Sequence, residues 1–223
     1  MNLTYLALCF VLGLVWILFF YIRKDLRKIM VILSLVFGVG GVLSEIVYIN
    51  DWWTPDTITG TKIGIEDFLS GFFIAGISFS IGKLFLKQKL ARKIKPKYSN
   101  WDTILLSAGF LFLFFGTYYL FNFHSFYSSL SAFGFSLTYI YLRRIDLIKP
   151  SLIGGLLSML VVISAYLIIL FFSPNFITDF WVLDNYWFSY LIFGIPLGEY
   201  VWLLLCGAFI GVFYEFIRGY RII

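Results

Sequence analysis

Charge is scarce in this chain. Of its 223 residues only 13% are Asp, Glu, Lys or Arg, where a soluble domain carries about a quarter. Cysteine and histidine are scarcer still. Cys9 and Cys206, the only two cysteines, both fall inside apolar runs, form no motif, and read as small packing residues. The single histidine, His124, has no cysteine or acid at ligand spacing, so a metal centre is not expected. No phosphate-binding loop and no dinucleotide fingerprint is present, and no aspartate-rich motif for holding a diphosphate through magnesium. The last apolar run has no lysine at its middle, which excludes a retinal Schiff base there. Neither cofactor nor metal is therefore implied.

What fills the space is apolar. The chain is 61% hydrophobic and 22% aromatic, with a mean hydropathy of +0.93. A soluble core of this size cannot hide that much apolar surface, so the chain reads as an integral membrane protein of one domain, residues 1–223. A hydrocarbon layer of about 30 Å takes about 20 residues as helix. Seven segments qualify, at 3–22, 29–49, 65–85, 103–121, 125–142, 152–172 and 190–217. Helices are expected because lipid offers the backbone no hydrogen-bond partner, and strand-like alternation is absent. The first segment is too long, and lacks the small-residue cleavage site, for a removable signal peptide.

The basic residues sort these segments in space. "RKDLRK" follows the first, "KQKLARKIKPK" the third and "RRIDLIK" the fifth, while Arg218 and Arg221 follow the seventh. With Lys83 these account for every Lys and Arg except Lys62. The alternate loops, "NDWWTPD" and "SPNFITDFWVLDNYW", carry acids and tryptophans. The positive-inside rule then puts the N-terminus outside a cell membrane and the C-terminus in the cytoplasm. The net charge of +5 is a topology signal and a contact for anionic lipid, not the mark of a nucleic-acid partner. Aromatics of the outer loops, among them Trp52, Trp53 and Trp181, suit an interfacial belt or a lid over an apolar ligand.

Two stretches align without gaps. "IGIEDF" at 63–68 lies over "IPLGEY" at 195–200, which sets Asp67 on Glu199 and Glu66 on Gly198. Each follows a tryptophan-bearing loop, and each leads into small residues: Gly71, Ala75 and Gly76 in one, Gly207, Ala208 and Gly211 in the other. Such spacing lets helices approach closely. The expected architecture is thus all-α, with two parallel three-helix repeats (about 1–86 and 124–218) joined by a connector helix (about 102–122). The third and seventh spans would face each other, with Glu66, Asp67 and Glu199 turned toward one cavity and Glu45 beside them.

A carboxylate within a membrane span costs about 2.5–3.5 kcal/mol at the helix centre. An acid in the first turn of a helix is favoured by the macrodipole, and that alone accounts for any one of these acids. It accounts less well for the same placement in both stretches. A neutral carboxyl beside an ionised one is also an acid–base pair.

The two stretches resemble the twin motif of the membrane lycopene cyclase domain, the flavin-independent kind built from two three-span units or their fusion. In that family each unit carries roughly Pro-(Ile/Leu/Val)-Glu-Glu before an apolar span. Here the first copy reads Gly64-Ile65-Glu66-Asp67-Phe68 and the second Pro196-Leu197-Gly198-Glu199-Tyr200, so Gly64, Asp67 and Gly198 depart from the pattern. The resemblance implies a cofactor-free isomerase of carotenoid biosynthesis. An acid protonates a terminal double bond of a linear polyene, a ring closes on the tertiary cation, and a base removes a proton. It makes Glu66 the first choice for the acid, with Asp67 and Glu199 as partner acids; Glu45 joins the candidate site through its place at the outer end of the second span. The partners would be membrane lipid and an apolar isoprenoid. A non-enzymatic isoprenoid-binding or assembly protein of the same fold is the alternative, and a transporter a more distant one, since few polar groups lie deep in the spans.

Overall fold

The computed structural model describes residues 3–93 and 100–222. Lys95 and Lys97, counted above in the basic segment, lie outside them. Seven long helices dominate: α1 (Thr4–Ile22), α2 (Arg27–Tyr48), α3 (Ile65–Phe85), α4 (Asn100–Phe121), α5 (Ser125–Arg143), α6 (Ile148–Phe172) and, after the short α7 (Phe176–Phe180), α8 (Leu197–Arg218). Six of these, all but α5 and α7, are long and apolar enough to cross a membrane. By length and composition this covers six of the seven expected spans. α5 has the length, at 19 residues, but Ser125, Ser128, Ser129, Ser131 and Ser136 dilute its apolar content.

The last span is also shorter than its sequence suggests. Residues 190–196 form a tight hairpin, β1 (Leu191–Ile192) against β2 (Ile195–Pro196), and α8 starts only after it. Phe193 and Gly194 turn the chain with φ of 52° and 77°, a left-handed pair that no helix contains. Conversely α6 begins earlier than expected, because Pro150 falls in its first turn, where a missing N–H costs nothing.

The helices pack inside out relative to a soluble protein. On α2 the exposed stripe is Ile32, Leu35, Val36, Val39, Leu43 and Ile46, at helical spacing. On α6 the exposed face carries Leu152, Leu156, Leu160 and Ile168, while Ser151, Gly154, Gly155 and Ser158 are buried. Buried hydroxyls join helices: Ser78 Oγ meets Ser158 Oγ at 2.6 Å, and Ser151 donates to the Ala208 carbonyl at 2.8 Å. Glycine makes the closest crossings possible. A Cβ on Gly71 would lie 2.5 Å from the Phe37 carbonyl oxygen, and one on Gly155 2.5 Å from that of Leu204. The first clamps α3 to α2, the second α6 to α8.

At the pole opposite the tryptophan loops, two arginines make the same set of bonds. Arg23 reaches both Asp25 oxygens, at 2.9 and 2.8 Å, and the Gln88 carbonyl at 2.8 Å. Arg144 reaches both Asp146 oxygens, at 2.7 and 2.6 Å, and the Tyr220 carbonyl at 3.0 Å. Each arginine is buried; Arg23 follows α1 and ties it to the chain just past α3, and Arg144 follows α5 and ties it to the chain just past α8. There β3 (Leu90–Lys93) and β4 (Tyr220–Ile222) pair antiparallel.

Between α3 and α8 at this pole lies a buried ion pair. Lys83 Nζ stands 2.8 Å from Glu215, donates to the Phe79 and Gly211 carbonyls at 2.9 and 2.7 Å, and sits 3.9 Å above the Phe79 ring. Removing one member strands the other charge in the bundle, at a cost of about 3–5 kcal/mol, whereas an apolar pair of similar volume is often tolerated. Lys83→Met and Glu215→Leu should each lower the thermal midpoint of the purified protein sharply, and the double variant should recover most of the loss. A double variant as unstable as the sum of the singles would mean that the pair holds no shared energy.

Candidate functional site

At the tryptophan pole the helix ends and the two tryptophan-bearing loops enclose a cavity of about 380 Å³. Its walls are largely apolar and rich in aromatic rings, with Phe37, Phe110, Phe114, Phe133, Trp202, Phe209 and Phe213 among them. From Glu199 to Phe213 the α8 wall runs about 21 Å at about 1.5 Å per residue. On one flank the lining includes Val36, Val39 and Leu43 of α2 and Leu111 of α4, all exposed on the outside of the bundle. The cavity therefore opens sideways, between α2 and α4, into the zone that lipid would occupy.

Three of the four acids singled out from sequence meet at its closed end: Glu45 from α2, Asp67 from α3 and Glu199 from α8. All three are buried. Asp67 caps its own helix, accepting the Gly64 N–H at 2.7 Å, and takes the Tyr5 hydroxyl on its other oxygen at 2.9 Å. Glu199 takes two indole N–H groups on one oxygen, from Trp52 at 2.6 Å and Trp181 at 2.9 Å. Glu45 takes one, from Trp53 at 3.2 Å, and among the described residues nothing donates to its Oε2. The fourth acid, Glu66, does not line the cavity. It turns the other way and accepts the Ile58 N–H at 2.7 Å, pinning the 49–64 loop.

The acids alternate with aromatic rings. Tyr5 packs edge-on against Trp53 at 4.7 Å, and Trp53 lies 4.8 Å from Trp181. Backbone bonds hold that indole pair in place: Thr54 N–H to the Phe180 carbonyl at 2.8 Å, and Val182 N–H to the Trp52 carbonyl at 2.9 Å. Trp52, Trp53 and Trp181 are thus buried donors to carboxyls rather than members of an interfacial belt, while Trp187 of the second loop is exposed. Tyr5, Tyr48 and Tyr166 also line this end, and sequence reasoning did not single them out. Nothing local marks a lone tyrosine as facing an acid 62 residues away. Among the described residues no three acid, cysteine or histidine groups are placed to share a metal ion.

His124 supports the roof from outside. Its Nδ1 accepts the Phe126 N–H at 3.1 Å and caps α5, while its ring lies 4.8 Å from Phe188 and 6.3 Å from Trp52. Asp51, 3.8 Å away, accepts the Ser125 N–H at 2.9 Å. No protein-family model, curated protein or solved structure matches this chain.

Burial holds the His124 imidazole below its ordinary value, against the opposing pull of Asp51. An unfolded chain would take up a proton as the pH drops through about 6.5, before the folded one does. Stability should therefore be full above that pH and fall below it. Asp25, held low by Arg23, adds its own loss only below about pH 4. His124→Asn keeps a capping acceptor but cannot titrate. Between about pH 7.5 and 5 the wild-type midpoint should fall more than that of His124→Asn; parallel curves would exclude His124 as the source.

Proposed function

We propose that this protein is an intramembrane acid–base isomerase that closes a ring at the end of a linear isoprenoid polyene, in the manner of the lycopene cyclases it resembles. One observation carries the reading: three carboxyls from three helices stand at the closed end of an apolar, aromatic cavity that opens sideways toward lipid. The chemistry needs a proton donor, a nearby base, exclusion of water and aromatic faces for a cation. Glu45, with one bare oxygen, is the donor to the terminal double bond. Glu199 or Asp67, each already fixed by two donors, removes the proton after ring closure. The reaction is redox-neutral and balances with no added reactant, so it requires no cofactor. Glu66, outside the cavity, has the loop-pinning role only.

The finer architecture belongs to the same reading. α5 is taken as a seventh span whose serines face the bundle, with α1–α3 and α5–α8 as parallel repeats joined by α4. Supporting this, Arg23-Lys24-Asp25-Leu26-Arg27-Lys28 and Arg144-Ile145-Asp146-Leu147-Ile148-Lys149 share four of their six positions and make the same bonds. Lys83 and Glu215 stand as far apart in the chain as Asp67 and Glu199. The carbonyls that Lys83 bonds, of Phe79 and Gly211, are then equivalent positions too. The N-terminus lies outside the cell membrane and the basic pole in the cytoplasm.

Expression in a bacterial host that accumulates lycopene, with pigments separated by chromatography, tests the chemistry. The wild-type protein should yield cyclic product. Glu45→Gln should lower the yield by about 10²–10⁴-fold at normal protein levels, Asp67→Asn and Glu199→Gln should lower it strongly, and Glu66→Gln should spare it. No cyclic product from wild type would replace the enzyme with a non-enzymatic isoprenoid-binding protein. Activity lost in Glu66→Gln but kept in Glu45→Gln would reverse the assignment of the acid. For topology, a membrane-impermeant thiol reagent on intact cells should label Asp56→Cys and spare Lys89→Cys; the opposite pattern would invert the orientation.

A further inference from the structure

The closed end of the cavity is built for positive charge. Glu45, Asp67 and Glu199 line it, and among the described residues no lysine, arginine or histidine does. Tyr5, Trp53 and Trp181 add π faces next to those acids, which attract a cation electrostatically, most strongly where water is excluded. Glu45 is only 5% exposed, and its Oε2 receives no hydrogen bond among the described residues. A buried polar atom with no donor is costly, and a ligand with an N–H would supply one. Below this end the cavity continues as an apolar slot past Leu203, Cys206 and Phe209.

We propose that the protein binds long-chain tertiary amines in their protonated form, the ammonium N–H donating to Glu45 Oε2 and the alkyl chain lying along the α8 wall. This deepens the functional reading above and shares its cavity. A ring-forming carbocation would carry the same charge at the same place, and a stable ammonium mimics it. Sites shaped to a transition state bind such mimics more tightly than substrate. The binding itself follows from the acids, the rings and the unpaired oxygen, whether or not turnover occurs.

The test uses the full chain in nanodiscs of phosphatidylglycerol, which has no cationic headgroup. N,N-dimethyldodecylamine and its neutral counterpart dodecanol are titrated separately, and binding is read from the fluorescence of the site tryptophans against empty nanodiscs. The amine should bind saturably and at least about 10-fold more tightly than dodecanol, a difference of about 1.4 kcal/mol. Glu45→Gln and Glu199→Gln both keep the oxygen that accepts indole N–H groups. They should each remove most of that preference while leaving dodecanol binding unchanged. Asp184→Asn, in the exposed outer loop, should match the wild type. An amine that binds no more tightly than dodecanol overturns the proposal, as does a preference intact in both Glu variants. Amine binding without cyclic product in the pigment assay would uphold this site while removing the enzyme; cyclic product without amine preference would do the reverse.

Discussion

Two indole N–H groups donated to one oxygen of Glu199 hold the tryptophan pole together. Trp52 comes from the loop after α2 and Trp181 from the loop before α8, so a single carboxyl ties both loops to the start of the last helix. Both bonds are short, at 2.6 and 2.9 Å. The backbone pairing of Trp53 with Trp181 sets the two indoles side by side. Without Glu199 both donors would be buried and unpaired, and the roof of the cavity would lose the reason for its shape.

The same rule governs the rest of the bundle. In hydrocarbon every polar group needs an internal partner, and here the hydroxyls, the arginine clamps and the Lys83–Glu215 pair are all turned inward. Large apolar side chains face outward, where lipid solvates them at no cost. Small residues occupy the crossings because association inside a membrane draws on close packing rather than on water release. One consequence is an asymmetric interior. α3 and α8 meet at the basic pole through the ion pair, while at the other pole the space between α2, α4 and α8 stays open as the cavity.

Against this background Glu45 stands apart. Asp67 is used twice by the fold, as a helix cap and as the acceptor for Tyr5, and Glu199 is used by two tryptophans. Glu45 has one long bond and a bare oxygen. Structural need explains the first two acids well and the third poorly, and that contrast, more than the number of acids, supports a chemical role at this pole. Lys83, the one buried lysine among the described residues, is at the far end and already paired, so it offers no counter-charge to the cavity.

Much of the architecture was legible in residue order. Helical spans, the sorting of basic and tryptophan-rich loops, and the place of Asp67 and Glu199 in first helical turns all follow from local pattern, because a bilayer imposes length and polarity on each segment separately. The "RxDLxK" recurrence at 23–28 and 144–149 was legible too, though basic charge masked it as a mere topology signal. The hairpin at 190–196 was not, since its residues are as apolar as the helix they precede. Nor was the fate of Glu66 and Asp67. They are neighbours in sequence, and a helix turns adjacent side chains about 100° apart, so one lines the cavity and the other pins a loop. Which of them faced inward, that Tyr5 and Trp53 would stand between the acids, and that the cavity would open between α2 and α4 were decided only by how the helices rotate and cross. The sequence by itself determined a membrane-spanning helical bundle with acids at one pole. Tertiary structure decided which acids line the cavity and which indoles reach them, because that depends on elements brought together from far apart in the chain.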